Sequence, residues 1–497
     1  MFGQTELTPL NILKYGLTKE FFEQFSLLKY DGIEIAPVLM RYFHSYIREF
    51  VQGNYLHEDY VKKVQERNNL FTIVDAQKAL LCLPEPKKYG IRSAEKKGIL
   101  MTTPYLDFAV DHLAEYTAVV LLLNERDREL VKIKRLPGHI RVYDLYKEIA
   151  KVKIEENILE TIFQQKKKIL YKNRKHEIFG KQHFQTWLSD RRIVIAIQLI
   201  EFIKRLIYER NVALMLDHTE VINPGILFGL FSHKLNIPFI LAPQLVMTDR
   251  SLIPTRATHY FVWGKNHREW LAKRGIAQER MVEGGNLRYY YQMKQDSVKV
   301  SRGRFRRIAK VPEEYRVVTY LTQSFPFGES FKTKLLQWIK YSVKDLPIIV
   351  IIRPHPADKY DYRTFVQKEE KFRFIQTEKI SLYNVIRPSD AVMTISSNTA
   401  LESLLLKKPL ITLQPPLPVR YDVSDNDVHT YLARGKAGAV IHNKIELKKV
   451  LTQFVNDPQY RKKLIVQGQT FLKNTLNLEV EPPIVLKNMI QDLLTKS

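Results

Sequence analysis

At 497 residues the chain is longer than one hydrophobic core ordinarily serves, so two or more domains are expected. A composition of 45% hydrophobic and 26% charged residues excludes fibrous and disordered classes, and 78 basic against 53 acidic residues leave a net charge of +25, which draws anionic lipid, anionic substrates or nucleic acid. The single cysteine, Cys82, excludes an internal disulfide, suits a reducing compartment and reads as a small buried apolar side chain.

The start, Met1-Phe-Gly-Gln-Thr-Glu, lacks the basic lead and apolar centre of a signal peptide, and no apolar run is long enough to span a bilayer. A cytoplasmic location is expected. Residues 1–97 read as a helical extension. Phe21, Phe22, Phe25, Leu27 and Leu28 recur at helical spacing, as do Leu39, Tyr42, Phe43, Tyr46 and Ile47, a pattern of core packing. Pro84-Glu-Pro86 and the lysine-rich residues to Lys97 read as a linker.

From Gly98 strands alternate with helices, which implies parallel sheet. Residues 98–290 form a first α/β domain, with strands at 98–102, 118–123, 212–216, 239–242 and 259–263 and long helices at 154–171 and 184–208. Asn223-Pro224 opens a helix after the third of these strands. Residues 291–312 are basic and turn-rich and read as an interdomain linker. Residues 313–475 form a second α/β domain with strands at 317–321, 348–352, 372–375, 392–395, 410–413 and 439–441. Residues 476–497 add a C-terminal helix. The fold class expected is α/β, two tandem Rossmann-like domains with a helical N-terminal extension. Neither domain carries G-x-G-x-x-G after its first strand and no P-loop occurs, which weighs against dinucleotide cofactors and NTPases. Zinc spacing and RNA- or DNA-reading motifs are lacking as well, so nucleic acid is not the expected partner.

The chemistry concentrates at strand ends. The apolar run 347–352 stops at Arg353-Pro-His-Pro356, and 391–395 stops at Ser396-Ser-Asn-Thr399 before the helix holding Glu402. In an open α/β sheet the ligand sits outside the carboxyl ends of the strands. Taken as neighbours, these two ends present Arg353, His355, Ser396, Ser397 and Thr399 to one anion, and Ser396-Ser-Asn is also the composition of a plain helix N-cap. In the first domain the strand 212–216 ends at Asp217-His218, and the strand 239–242 at Pro243-Gln244.

These residues, together with Phe261-Val-Trp-Gly264, Gly275-Ile276 and 282–286, resemble GT-B glycosyltransferases over about residues 98–475. Within that superfamily the chain is most similar to bacterial surface-polysaccharide enzymes, namely capsule transferases and CDP-glycerol glycerophosphotransferases, and more distantly to UDP-N-acetylglucosamine 2-epimerases. The resemblance implies a glycosyltransferase taking a sugar or polyol phosphate from a UDP, CDP or CMP donor, without a metal or resident cofactor, to a surface-glycan or lipid-linked acceptor. It implies that Ser396, Ser397, Asn398 and Thr399 hold the donor phosphates with Ser324 on the donor side, that Arg353 and the catalytic His355 stabilise the leaving phosphate, His355 donating a hydrogen bond or a proton, and that Glu402 accepts hydrogen bonds from ribose. The proton-accepting base would come from the first domain: Asp217, with His218 and Glu220 as rivals and Gln244 on the acceptor side. Such acceptors, with the +25 charge, imply peripheral contact with an anionic inner leaflet. A non-hydrolysing UDP-sugar 2-epimerase, or a non-catalytic GT-B-like scaffold or nucleic-acid binder, is the alternative. The epimerase pattern is departed from at Thr322-Gln-Ser324, Ser396-Ser-Asn398 and Leu413-Gln-Pro-Pro416, and the glycerophosphotransferase pattern at Thr394-Ile-Ser-Ser397.

Overall fold

Runs of apolar residues without alternation build two parallel sheets, because a strand covered on both faces has no side to leave polar. The computed structural model describes residues 5–90, 97–295, 299–324, 329–376, 380–416 and 430–495. The reading of residues 1–4, and the parts of the two linker readings at 91–96 and 296–298, lie outside the described residues. Among the described residues no helix is long and apolar enough to cross a membrane.

The first sheet has seven strands: β1 (Gly98–Thr102), β2 (Thr117–Leu122), β3 (Ile140–Asp144), β4 (Val212–Asp217), β5 (Phe239–Leu241), β6 (His259–Val262) and β7 (Met281–Glu283). Their spatial order is β3-β2-β1-β4-β5-β6-β7, and every pair is parallel. The second has six: β8 (Arg316–Leu321), β9 (Ile348–Arg353), β10 (Phe372–Phe374), β11 (Ala391–Thr394), β12 (Leu410–Leu413) and β13 (Ala439–Ile441). Their order is β10-β9-β8-β11-β12-β13, again all parallel. Both orders run outward from the first strand in two directions, which is the Rossmann arrangement, with the ligand crevice where the order reverses. The switch points are β1/β4 and β8/β11.

That topology corrects one expectation. β9 and β11 are not neighbours, because β8 lies between them and pairs with both. The centre of the second site is therefore the end of β8, Thr322-Gln-Ser324, flanked by the ends of β9 and β11. β3 was also missed, since its residues after Ile140 are partly exposed and it carries no continuous apolar run. The long helix expected over 184–208 is two, Gln182–Trp187 and Asp190–Glu209, separated by Ser189, which caps the second through Arg192 N–H. The basic residues 291–312 are not a plain linker: helices Leu287–Gln295 and Arg302–Ala309 occupy much of them, the latter capped by Ser301 and anchored by buried Phe305 and Ala309. Arg302 pairs with Asp390 at 2.9 Å and Arg306 donates to the Pro312 and Tyr315 carbonyls. Part of that charge is thus structural.

The chain divides into two compact units. Among the described residues, one holds those up to Trp263, Leu271–Leu287 and those from Glu479; the other holds Gly264–Trp270 and those in Arg288–Leu478. The N-terminal helices belong to the first unit, where Phe21 stacks on Phe43 at a centroid distance of 4.4 Å and Phe21, Phe25 and Phe43 pack with Phe179, Phe184 and Trp187 at 5.3–6.4 Å. Leu27 and Tyr42 leave that cluster and are 63% and 52% exposed. The C-terminal helix Pro482–Thr495 also returns to the first unit, burying Leu486, Ile490 and Leu494, and the Leu494 carbonyl accepts from Lys97 Nζ at 2.6 Å. Cys82 is half-buried, with its thiol pushed up to about 11 by burial.

Candidate functional site

The β1/β4 switch point carries a histidine–aspartate pair. β4 ends in Asp217, whose side chain is 2% exposed, and Oδ1 accepts from Thr102 Oγ1 at the end of β1 and from the His218 amide, both at 2.7 Å. His218 Nδ1 lies 2.9 Å from the same oxygen. Burial disfavours the charged ring, yet the Asp217 carboxylate outweighs it and holds the His218 pKa above its ordinary value. The contact is one of charge and not of an aligned hydrogen bond; with the proton drawn to Nδ1 by the carboxylate, Nε2 is left as the basic nitrogen of a side chain that is 27% exposed. The turn is tight because the next helix, Gly225–Leu235, starts against it. A Cβ on Gly225 would stand 1.9 Å from the Thr219 carbonyl and 3.0 Å from Asp217 Oδ2.

This reassigns the three base candidates. Asp217 is buried and bound on Oδ1, which places its charge beside the His218 ring. Glu220 is wholly buried, accepting from Thr255 Oγ1 and from the amides of Arg256 and Ala257 at 2.6–3.0 Å, and it staples that loop; it lines no acceptor side. Burial pushes its carboxyl up to about 7 against the pull of Arg256 and these bonds. Gln244 is 6% exposed and donates to the Ala242 carbonyl at 3.3 Å, while its Oε1 has no hydrogen-bond partner among the described residues. Tyr105, just past β1, donates to the same carbonyl at 2.5 Å and ties the ends of β1 and β5 together.

In the other unit, the end of β8 is laced to both neighbours. Gln323 accepts from the Ser396 amide at 2.7 Å and donates to Ser396 Oγ at 3.2 Å. Thr322 Oγ1 accepts from the His355 amide at 3.0 Å, and exposed Ser324 donates to the Ala357 carbonyl at 3.2 Å. The turn holding His355 is organised by Asp358, whose buried carboxylate accepts from Thr322 Oγ1 at 2.8 Å and Tyr362 OH at 2.7 Å and pairs with Lys332. Burial raises the Asp358 pKa, but these bonds more than offset it and hold it below the usual value. His355 Nδ1 accepts from the Ala357 amide at 3.1 Å, so a neutral ring carries its proton on Nε2. Burial lowers its pKa, with Asp358 pulling the other way, so the exposed ring is a neutral N–H donor at pH 7.

Two donor-site expectations change. Arg353 is 5% exposed and its Nη1 donates to the carbonyls of Gln376 (3.3 Å) and Ile380 (2.5 Å), so it braces that loop. The amides opening the helix Thr399–Leu405 are engaged locally: Thr399 N–H by Ser397 Oγ, Ala400 N–H by the Ser397 carbonyl and Leu401 N–H by that of Asn398. The polar groups of Ser396, Ser397, Asn398 and Thr399 remain half-buried around the strand end. Tyr289 and Tyr431 hold this loop through the Asn398 and Ser397 carbonyls at 3.4 and 3.5 Å.

Glu402 is fully buried. Its Oε1 accepts from Tyr383 OH at 3.3 Å and, with the Gln292 amide turned so that nitrogen faces it, from Gln292 at 2.9 Å, while Gln292 oxygen accepts from Arg288 Nε. Oε2 has no partner among the described residues. Burial raises the Glu402 pKa, with Arg288 and Tyr383 pulling it down. Sequence reasoning missed Thr102, Gln323, Asp358 and the Arg288–Gln292 pair. Thr102 and Gln323 end first strands of Rossmann sheets, a readable signal; Arg288 and Gln292 lie more than a hundred residues from Glu402 and carry none.

No protein-family model matches this chain and no curated protein matches it. Solved structures similar to it include a UDP-N-acetylglucosamine 2-epimerase from Neisseria meningitidis bound to UDP-GlcNAc, at 12% identity and TM-score 0.47, covering 80% of this chain and 100% of that one. A second is the UDP-GlcNAc 2-epimerase from Methanocaldococcus jannaschii, at 12% identity and TM-score 0.46, covering 76% and 98%. A third is the wall teichoic acid polymerase TagF, at 12% identity and TM-score 0.44, covering 81% and 90%. At these values the likeness concerns the fold alone.

Proposed function

We propose that the chain is a GT-B transferase moving a sugar or polyol-phosphate unit from a nucleotide-activated donor of UDP, CDP or CMP type to a glycan or lipid-linked acceptor. The observation that carries the reading is Glu402: a buried carboxylate with one oxygen satisfied by protein and the other without a partner among the described residues, in the helix after β11 at the sheet's switch point. Unpaired buried oxygens are costly, and a ribose hydroxyl supplies the missing donor. In this reading Ser396, Ser397, Asn398 and Thr399 meet the donor phosphates. Neutral His355 donates Nε2–H to the leaving phosphate as its bond to the transferred group breaks and the electron pair stays on oxygen. His218 Nε2 takes the acceptor hydroxyl proton as the new bond forms, with Asp217 stabilising the imidazolium. Gln244 lines the acceptor side. The exposed cations Lys167, Lys168, Lys172, Arg174 and Lys175 serve peripheral contact with an anionic leaflet.

A thermal-shift screen with UDP, CDP, CMP, GDP and ADP tests the donor site. A nucleotide at about 100 times its Kd adds about 2.7 kcal/mol to the folded state. We expect a pyrimidine nucleotide to raise Tm in the wild type and not in Glu402→Ala. No shift with any of the five overturns the reading. Turnover of UDP-N-acetylglucosamine to its epimer without an acceptor would replace it with the epimerase.

A further inference from the structure

A cavity of about 320 Å³ opens in the first unit, and nothing in the transferase chemistry above accounts for it. Its walls are aliphatic: Val38 from the N-terminal layer, Leu145 and Ile149 from the helix directly after β3, and Ile195 and Leu199 from the helix Asp190–Glu209. Its position is set by the loop after β4. Asn223 lies five residues beyond His218, close enough along the chain to keep their Cα atoms within about 18 Å. Asn223 Nδ2 donates to the Val38 carbonyl at 3.0 Å, fastening the N-terminal layer to that loop. The cavity therefore lies at the carboxyl ends of β3 and β4, on the same side of the sheet as the proposed base.

Its chemistry is that of an amphiphile's seat. Tyr42 and Tyr146, 52% and 53% exposed, form part of the lining together with Arg191 and Arg192. Arg191 is exposed and has no ion-pair partner among the described residues. The Arg192 guanidinium lies over the rings of Trp187 (4.8 Å) and Tyr42 (5.9 Å). Asn223 Oδ1 is buried without a hydrogen-bond partner among the described residues, and apart from the arginines and tyrosines only Asn223 and Ser189 of those residues add polar side chains to the lining. A bare sugar would leave its hydroxyls unpaired against such walls. An apolar chain fills them, and guanidinium groups with tyrosine rings suit a phosphate at the chain's head.

We propose that this cavity seats the lipid end of the acceptor, an apolar chain carrying a phosphate, and that the N-terminal layer exists in part to form one wall of it. The proposal rests on the transferase reading for the word acceptor, but its binding site is separate from the nucleotide site. Titration calorimetry on the full chain with farnesyl phosphate, farnesol and inorganic phosphate tests it. Farnesyl phosphate is expected to bind at least tenfold more tightly than either of the others. Arg191→Glu on the surface, and Ile195→Trp reaching into the cavity, are each expected to weaken it at least tenfold with Tm unchanged. The proposal is overturned if farnesyl phosphate does not bind, if inorganic phosphate binds as tightly (an anion site only), or if neither variant weakens binding. The nucleotide thermal shift, read on the same samples, separates the failures. A shift without farnesyl phosphate binding leaves the transferase and removes the lipid seat. Binding without any shift leaves the seat and removes the transferase.

Discussion

At the scale of single residues, the proposed base is a histidine whose neighbour raises its pKa. Asp217 is buried and its Oδ1 accepts from Thr102 and the His218 amide, so its charge is spent on orienting and charging the ring. The raised pKa sets the sign of two pH effects. As a base His218 must be neutral, so kcat/KM for transfer from the nucleotide donor is expected to rise as pH passes through a value above the ordinary 6.5. For stability the direction is opposite: the charged His218–Asp217 pair favours the fold fully below the unfolded-state pKa, and that contribution is lost as pH climbs through the folded one. His218→Ala is expected to cost about 10²–10⁴ in kcat with the nucleotide thermal shift intact. Asp217→Asn should move the rising limb to lower pH. A wild-type limb unchanged in either variant would show that another group takes the proton.

At the scale of elements, the helix Gly225–Leu235 shows how the sequence makes room for a site. Glycine inside a helix ordinarily costs about 1 kcal/mol relative to alanine. Here the balance reverses at Gly229, where a Cβ would meet Glu220 Oε1 at 2.2 Å and Arg256 Cβ at 2.9 Å. Both of those side chains are fully buried and cannot swing aside. Gly229→Ala is therefore expected to destabilise by about 1–3 kcal/mol, read as a lower urea midpoint at unchanged m-value. A gain in stability would mean that the Glu220 staple is loose. The Arg353-Pro-His-Pro356 turn makes a similar point: Asp358 and Thr322 from adjoining elements aim His355, and the prolines alone do not.

At the scale of the whole molecule, charge is the property that reaches furthest. The chain carries +25, and the exposed stretch around Lys167, Lys168, Tyr171, Lys172, Arg174 and Lys175 presents cations beside a 70% exposed aromatic ring. Each basic residue near an anionic leaflet contributes about 1 kcal/mol, screened over about 10 Å at 0.1 M salt and about 3 Å at 1 M. The protein is expected to co-sediment with phosphatidylserine-containing vesicles at 0.1 M salt and to be released at 1 M. Equal binding to neutral vesicles would remove peripheral electrostatic docking.

Apolar periodicity alone determined that this is a tandem α/β chain, because strands buried on both faces leave unbroken runs that need no partner to be seen. Eleven of the thirteen strands of the two parallel sheets were legible for that reason, and the partly exposed β3 and the three-residue, partly exposed β7 were not. The polar strand ends at Asp217-His218, His355 and Ser396-Ser-Asn-Thr399 were legible because polar residues there interrupt those runs. Only the tertiary structure decided which ends are neighbours: β8 between β9 and β11 is a matter of strand order, which periodicity does not encode. It also decided the roles. Arg353, Glu220 and Asp217 read as reactive groups until burial and hydrogen bonding showed them spent on loops and on a neighbouring ring, whereas Glu402 kept an unpaired oxygen. A residue type states what a side chain can do, and the partners that leave it occupied or free come from chain segments that only folding brings together.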